Sequence, residues 1–299
     1  MANSAAVAID NIPSGVYGLD TVLGGGLPEF SFSVIAGGPG SGKTTMAQQI
    51  VFAAGTADRP ALFFTVLGEP ALKMLRYQSQ FDFFDSSKIG TAVRLVNLTD
   101  EVAKLDFNAV LQRIIAEVER VKPRVVVVDS FRSLANPMTG VTESSQLEVA
   151  QFIQRLAHYL ATWEVTTFLL GEYTDAEFSG PLFTVADNVI RLSQVTDRNS
   201  VVRKLQVMKS RGRAAMPGLH TFRIATCGVY IFPRILDRHL GRKRKKVTRQ
   251  GSGVPGLDVL MGGGIPRGDA VMVSGPAGSG KTTFARQFLL EGLRAGEGV

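Results

Sequence analysis

Gly37-Gly38-Pro39-Gly40-Ser41-Gly42-Lys43-Thr44 satisfies G-x-x-x-x-G-K-[ST]. It follows a short apolar run, Phe32 to Ala36, and precedes a helical stretch from about Thr44 to Ala54. A strand that feeds a glycine loop and then a helix is the setting this pattern needs. Outward from the loop the same alternation continues. Ala61 to Val66 reads as a strand. Asp106 caps a helix running to Val121, with apolar residues at Val110, Leu111, Ile114, Ile115 and Val118, and Pro123 ends it. Arg124 to Asp129 carries Val125-Val126-Val127-Val128, apolar on both faces, as a central parallel strand between helical layers must be. A helix from about Ser144 to Thr162 follows, then strands Thr166 to Leu170 and Val189 to Leu192. Val202 to Met208 and Thr221 to Phe232 read as antiparallel strands added at an edge. The expectation is an α/β fold with a mostly parallel sheet, helices on both faces and a C-terminal antiparallel extension.

The loop's composition points to phosphate. Without side chains, the glycines let backbone N–H groups close around phosphate oxygens, and the helix N-terminus adds partial positive charge. The cofactor expectation is therefore ATP with Mg2+. Gly38, Pro39, Gly40, Ser41, Gly42, Lys43, Thr44 and Thr45 form the cradle; Lys43 reaches the β- and γ-phosphates, and the Thr44 hydroxyl takes a magnesium position. Asp129 ends the all-valine strand, where a carboxylate can hold the magnesium shell. Hydrolysis also needs a carboxylate beside the attacking water. Glu69, just beyond the strand ending at Val66, is the candidate, and Glu172, just beyond Leu170, is the alternative.

The chain also repeats its own opening. Ser14 to Asp20 (SGVYGLD) returns as Ser252 to Asp258 (SGVPGLD), and Gly24-Gly25-Gly26-Leu27-Pro28 returns as Gly262-Gly263-Gly264-Ile265-Pro266. In the same register, the loop returns with Gly278, Ser279, Gly280, Lys281 and Thr282 as a second cradle. This predicts a tandem duplication: a first ATPase domain at 1–236, a basic linker at 237–250, and the start of a second domain at 251–299. One strand, a loop and one helix are expected there between about Asp269 and Ala295, with too little apolar surface to fold alone.

The 299 residues and 45% hydrophobic content suffice for a real core. The net charge of +7 is local: Arg242, Lys243, Arg244, Lys245, Lys246 and Arg249 fall in the linker, which reads as a solvated connector. The segment Tyr173 to Val185, where a DNA-handling ATPase would present a loop, has Asp175 and Glu177 but no Lys or Arg. That argues against nucleic acid. No metal-ligand spacing of His or Cys occurs, so no structural metal is expected. The lone Cys227 lies between apolar runs and reads as a buried small hydrophobe. No bilayer-length apolar run or signal segment is present, which points to a soluble cytoplasmic chain.

The Gly18-Leu19-Asp20 block with its triple glycine, the loop, the Val125 to Ser130 strand, Lys209-Ser210-Arg211-Gly212 and Gly228 to Phe232 together resemble the KaiC family of RecA-superfamily ATPases. The resemblance spans almost the whole chain. It implies a RecA-like P-loop core and a homo-oligomer, a hexameric ring, with ATP bound between neighbours. Lys209 and Arg211 would then act on the nucleotide of the adjacent subunit. It also implies a regulatory protein partner and, in full-length relatives, Ser/Thr autokinase activity. Where the family carries two adjacent glutamates, this chain reads Leu67-Gly68-Glu69. Three functions follow: a slow regulatory ATPase, an ATP-gated interaction module, or a DNA-handling recombinase or helicase.

Overall fold

The computed structural model describes residues 10–66, 71–103, 107–130, 143–173, 181–197, 200–234 and 248–297. Glu69, Asp106 and the basic run 242–246 lie outside the described residues. The chain divides into two compact units, Met1–Ile235 and Leu236–Val299.

In the first unit, β1 (Asn11–Ile12) and β2 (Leu27–Pro28) form a small hairpin around α1 (Leu19–Val22). The main body follows in chain order: β3 (Phe32–Gly37), α2 (Lys43–Ala54), β4 (Ala61–Thr65), α3 (Ala71–Gln78), β5 (Val93–Asn97), α4 (Thr99–Ala103), α5 (Phe107–Val121) and β6 (Val125–Asp129). Next come α6 (Glu143–Thr162), β7 (Thr166–Gly171), α7 (Pro181–Val185), β8 (Asn188–Asp197), β9 (Ser200–Ser210), β10 (His220–Ala225) and β11 (Gly228–Phe232). Nine strands make one sheet in the order β11-β10-β9-β8-β3-β7-β6-β4-β5. From β8 through β5 every pairing is parallel, and β9, β10 and β11 add antiparallel strands at one edge. This is the expected α/β, RecA-like arrangement.

The central strands show why two layers of helix are needed. Val125 and Val127 enter the same apolar cluster as Phe63 and Ile35, together with Met46, Ile50 and Val51 of α2. Val126 and Val128 enter the opposite cluster with Phe64 and Val34, covered by Val110, Ile114 and Val118 of α5 and by Phe152, Leu156 and Leu160 of α6. Alternate side chains thus feed opposite faces. Each fully buried side chain of this size contributes about 1.5 to 3 kcal/mol.

Some expectations change. β8 and β9 are longer than Val189 to Leu192 and Val202 to Met208, because they zip together along a hairpin from Asn188↔Ser210 to Asp197↔Ser200. α3 and β5 were not anticipated. Cys227 is exposed rather than buried, since it occupies the turn between β10 and β11 instead of a strand.

The second unit holds β12 (Arg249–Gln250), α8 (Pro255–Leu260), β13 (Ile265–Pro266) and α9 (Lys281–Arg294), with β12 and β13 antiparallel. The strand expected just after Asp269 does not form. Val271, Met272 and Val273 are 51%, 88% and 44% exposed. In the first unit, β3 is held by β7 and β8, and among the described residues the second unit offers no such neighbours. Ser252 and Gln287 nonetheless repeat bonds of the first unit. Ser14 N–H donates to Asp20 Oδ1 at 3.0 Å and Ser252 N–H to Asp258 Oδ1 at 2.9 Å. Gln49 Nε2 donates to the Gly15 carbonyl at 2.9 Å and Gln287 Nε2 to that of Gly253 at 3.0 Å.

Candidate functional site

The loop between β3 and α2 lies at the carboxyl edge of the parallel sheet, where β4, β6 and β7 also end. It is wrapped by backbone conformations that only glycine adopts at low cost: Gly40 has φ 68° and Gly42 φ 98°. A Cβ at Gly42 would stand 2.7 Å from Ile224 Cδ1, whereas Gly38 faces open space. No side chain caps the N-terminus of α2. Its first-turn N–H groups are therefore left to an anionic ligand. Ser41 Oγ is buried without a partner. From the sheet side, Gln194 Nε2 on β8 donates to the Pro39 carbonyl at 3.2 Å and braces the loop.

Lys43, buried at the head of α2, donates its ammonium to the Gly37 and Gly38 carbonyls, both at 2.9 Å. Glu172 Oε1, just past β7, is 3.7 Å from the same nitrogen. Burial holds the Lys43 pKa below its ordinary value, and the charges of Glu172 and Asp129 only partly offset it. Thr44 Oγ1 donates to Asp129 Oδ2 at 2.7 Å. Lys43, Thr44, Thr45, Asp129 and Glu172 line one cleft of about 330 Å³ with Gly40 and Gly42. A glycine cradle, an ammonium, and a hydroxyl paired with a carboxylate fit a nucleoside triphosphate and its divalent cation. Bound there, the cation would neutralise charge on the phosphate oxygens.

Of the sequence candidates, Glu69 lies outside the described residues, and Glu172 is in the cleft. Lys209 and Arg211 are not brought to it. Lys209 pairs with Val189, which pairs with Val34, three residues before Gly37 on β3. Arg211 N–H bonds to the Asp187 carbonyl, and Asp187 N–H to that of Phe32. At about 3.3 Å per residue, the two sit roughly 10 and 16 Å back along the strand from Gly37. Their side chains are engaged there: Lys209 Nζ donates to the Phe183 and Thr184 carbonyls at 3.1 and 2.9 Å, and Arg211 Nη1 to Asp187 Oδ1 at 3.2 Å. Thr65, Met74, Ser130 and Ile224 also line the cleft and were missed. Thr65, Met74 and Ile224 converge from β4, α3 and β10 with no local pattern to mark them, and Ser130 directly follows Asp129.

The second loop copies the first in part. Lys281 Nζ donates to the Gly275 and Pro276 carbonyls at 2.8 and 2.7 Å, and Gly278 and Gly280 have φ 77° and 87°. Ser279 and Thr282 are exposed beside them. Among the described residues, no carboxylate meets Thr282 as Asp129 meets Thr44.

Comparison with known proteins adds the following. A family model described as "ATPase: KaiC" matches residues 12–235 and 250–299. The circadian clock oscillator protein KaiC of Picosynechococcus sp. is 28% identical over 303 residues, taking in 99% of this chain and 58% of that protein. Its counterpart in Prochlorococcus marinus is 28% identical over 299 residues, with 97% and 59% covered. The chain thus spans about three fifths of the length of the curated relatives it matches. The crystal structure of a KaiC-like protein from Pyrococcus horikoshii OT3 superposes with a TM-score of 0.63 at 24% identity, covering 76% of this chain and 100% of that one. It shares the fold.

Proposed function

The chain belongs to the KaiC ATPase family, and on that premise we propose that its first unit binds ATP with Mg2+ and hydrolyses it slowly, as a regulatory ATPase. Lys43 holds the terminal phosphates, Thr44 and Asp129 hold the cation, and Glu172 or Glu69 orients the attacking water. The ring is a homo-oligomer, a hexamer, in which Lys209 and Arg211 act on the nucleotide of the next copy. One observation carries the intersubunit part of this reading: Lys209 and Arg211 sit roughly 10 and 16 Å back along the strand from Gly37, away from the loop they would have to serve. A cation can stabilise transferring phosphoryl charge only in contact with it, so within one chain these two are idle.

The matched contacts of Asp20 and Asp258, and of Gln49 and Gln287, support domains at 1–236 and 251–299 related by duplication, joined by the 237–250 linker. Without a carboxylate at Thr282, the second loop would bind phosphate and not hydrolyse it. The absence of a membrane-length apolar helix among the described residues is compatible with a cytoplasmic setting.

The test is phosphate release together with sizing, with and without ATP. Wild-type chain should assemble with ATP and release phosphate, and Lys43→Ala should release none. Equal turnover in the two would sink the proposal, and ATP-dependent assembly with no phosphate release would favour an ATP-gated interaction module instead.

A further inference from the structure

Among the described side chains of α3, the two buried ones are Met74 and Gln78, one turn apart on the same face. Met74 lines the phosphate cleft with Lys43, Asp129 and Ile224. Gln78 is 2% exposed, and neither its Oε1 nor its Nε2 meets a hydrogen-bond partner. No other carboxamide among the described residues is left in this state.

Packing gives no reason for an amide there. Burying one unpaired costs free energy that a Met or Leu of similar volume would not lose, so buried polar groups are nearly always met. Helical side chains lean back over the preceding turn, which directs Gln78 toward Met74 and the cleft. The chain beyond Gln78 closes the same wall: Asp82 N–H donates to the Thr226 carbonyl at 2.8 Å, two residues past Ile224. Ile224 in turn packs against Gly42 of the loop. The space beside the phosphates is thus bounded by apolar Met74 and Ile224, with one unmet donor and one unmet acceptor behind Met74. A flat aromatic base with a polar edge is what such a wall accommodates.

We propose that the Gln78 carboxamide reads the base of the nucleotide held at Gly37 to Thr44, pairing with the 6-amino group of adenine and the ring nitrogen beside it. A carboxamide offers an acceptor and a donor side by side, the complement of adenine N6–H and N7. Guanine presents two acceptors, O6 and N7, on the same edge and cannot make both bonds. Gln78 is then a specificity-determining residue that selects ATP over GTP. This inference rests on the nucleotide-binding reading given above.

Gln78→Met, of similar length and volume, tests it in the full chain through equilibrium binding of ATP, GTP and inorganic tripolyphosphate, which carries the phosphates without a base. ATP should weaken by about tenfold, the preference over GTP should collapse, and tripolyphosphate binding should not move. Thermal unfolding supplies a second readout: the variant without nucleotide should unfold at no lower temperature than wild type, with a smaller upward shift on adding ATP. An unchanged ratio of ATP to tripolyphosphate affinity, or an equal loss of both, overturns the proposal while leaving the phosphate site standing. A wild-type chain that binds neither ligand overturns the phosphate site, and this inference with it.

Discussion

Thr44 Oγ1 donates to Asp129 Oδ2 across 2.7 Å, joining the head of α2 to the end of β6. Because the hydroxyl hydrogen is spent on the carboxylate, the lone pairs of Thr44 are turned outward into the cleft, where a cation would find both oxygens. Asp129→Asn keeps the size of the side chain and removes its charge. We expect turnover to fall by about two orders of magnitude, with Mg2+ no longer tightening ATP binding. Wild-type magnesium dependence in a titration of that variant would remove Asp129 from the metal shell.

The position of Lys209 and Arg211 behind the loop makes a sharper demand. Lys43→Ala and Arg211→Ala should each be inactive alone. In a mixed ring, a site with intact Lys43 can face a neighbour with intact Arg211, and phosphate release should return on mixing. If Arg211 acted within its own chain, no mixture could recover activity. The mixing assay separates the two by whether any turnover reappears.

Lys43 also leaves a mark on stability. Burial depresses its pKa below 10.5, against the weaker opposing pull of Glu172 and Asp129. Between the depressed value and 10.5 the folded chain binds fewer protons than the unfolded one, so this residue's contribution to stability rises with pH through that window. Below the window the buried ammonium is a full penalty. Lys43→Met should therefore be more stable than wild type at neutral pH without nucleotide, and the gap should narrow as pH approaches 10.5. Denaturant unfolding at both ends of that range checks it; a gap that widens with pH would contradict the burial account.

The glycine loop and Asp129, which meet in one cleft, were legible in the sequence because each is a local pattern: a contiguous glycine run, and a carboxylate closing four valines. The parallel sheet was legible for the same reason, since Val125 to Val128 can be satisfied only by apolar layers on both faces. Gln194, which braces the loop from β8, and Met74 and Ile224, which line the cleft from α3 and β10, were not, because they meet only after the sheet has closed. Cys227 was misread since strand propensity on either side does not show where a two-residue turn falls. The strand after Asp269 was misread from the opposite cause: apolar sequence proposes a strand, but a ladder needs partners.

Gln49 is the last of these long-range contributors, and the one with a clear stability prediction. From α2 it donates Nε2 to the Gly15 carbonyl at 2.9 Å and accepts the Val229 N–H on Oε1 at 2.8 Å. One buried amide thus ties the N-terminal segment and edge strand β11 to the helix that carries Lys43. Gln49→Leu preserves bulk but strands the buried Val229 N–H and loses both bonds. The cost should be about 2 kcal/mol, seen as a fall of about 5 °C in Tm. Gln287 makes only the corresponding bond to Gly253 in the second unit, and its surroundings are more open. Gln287→Leu should cost well under half as much. Equal losses in the two variants would show that the β11 contact contributes nothing.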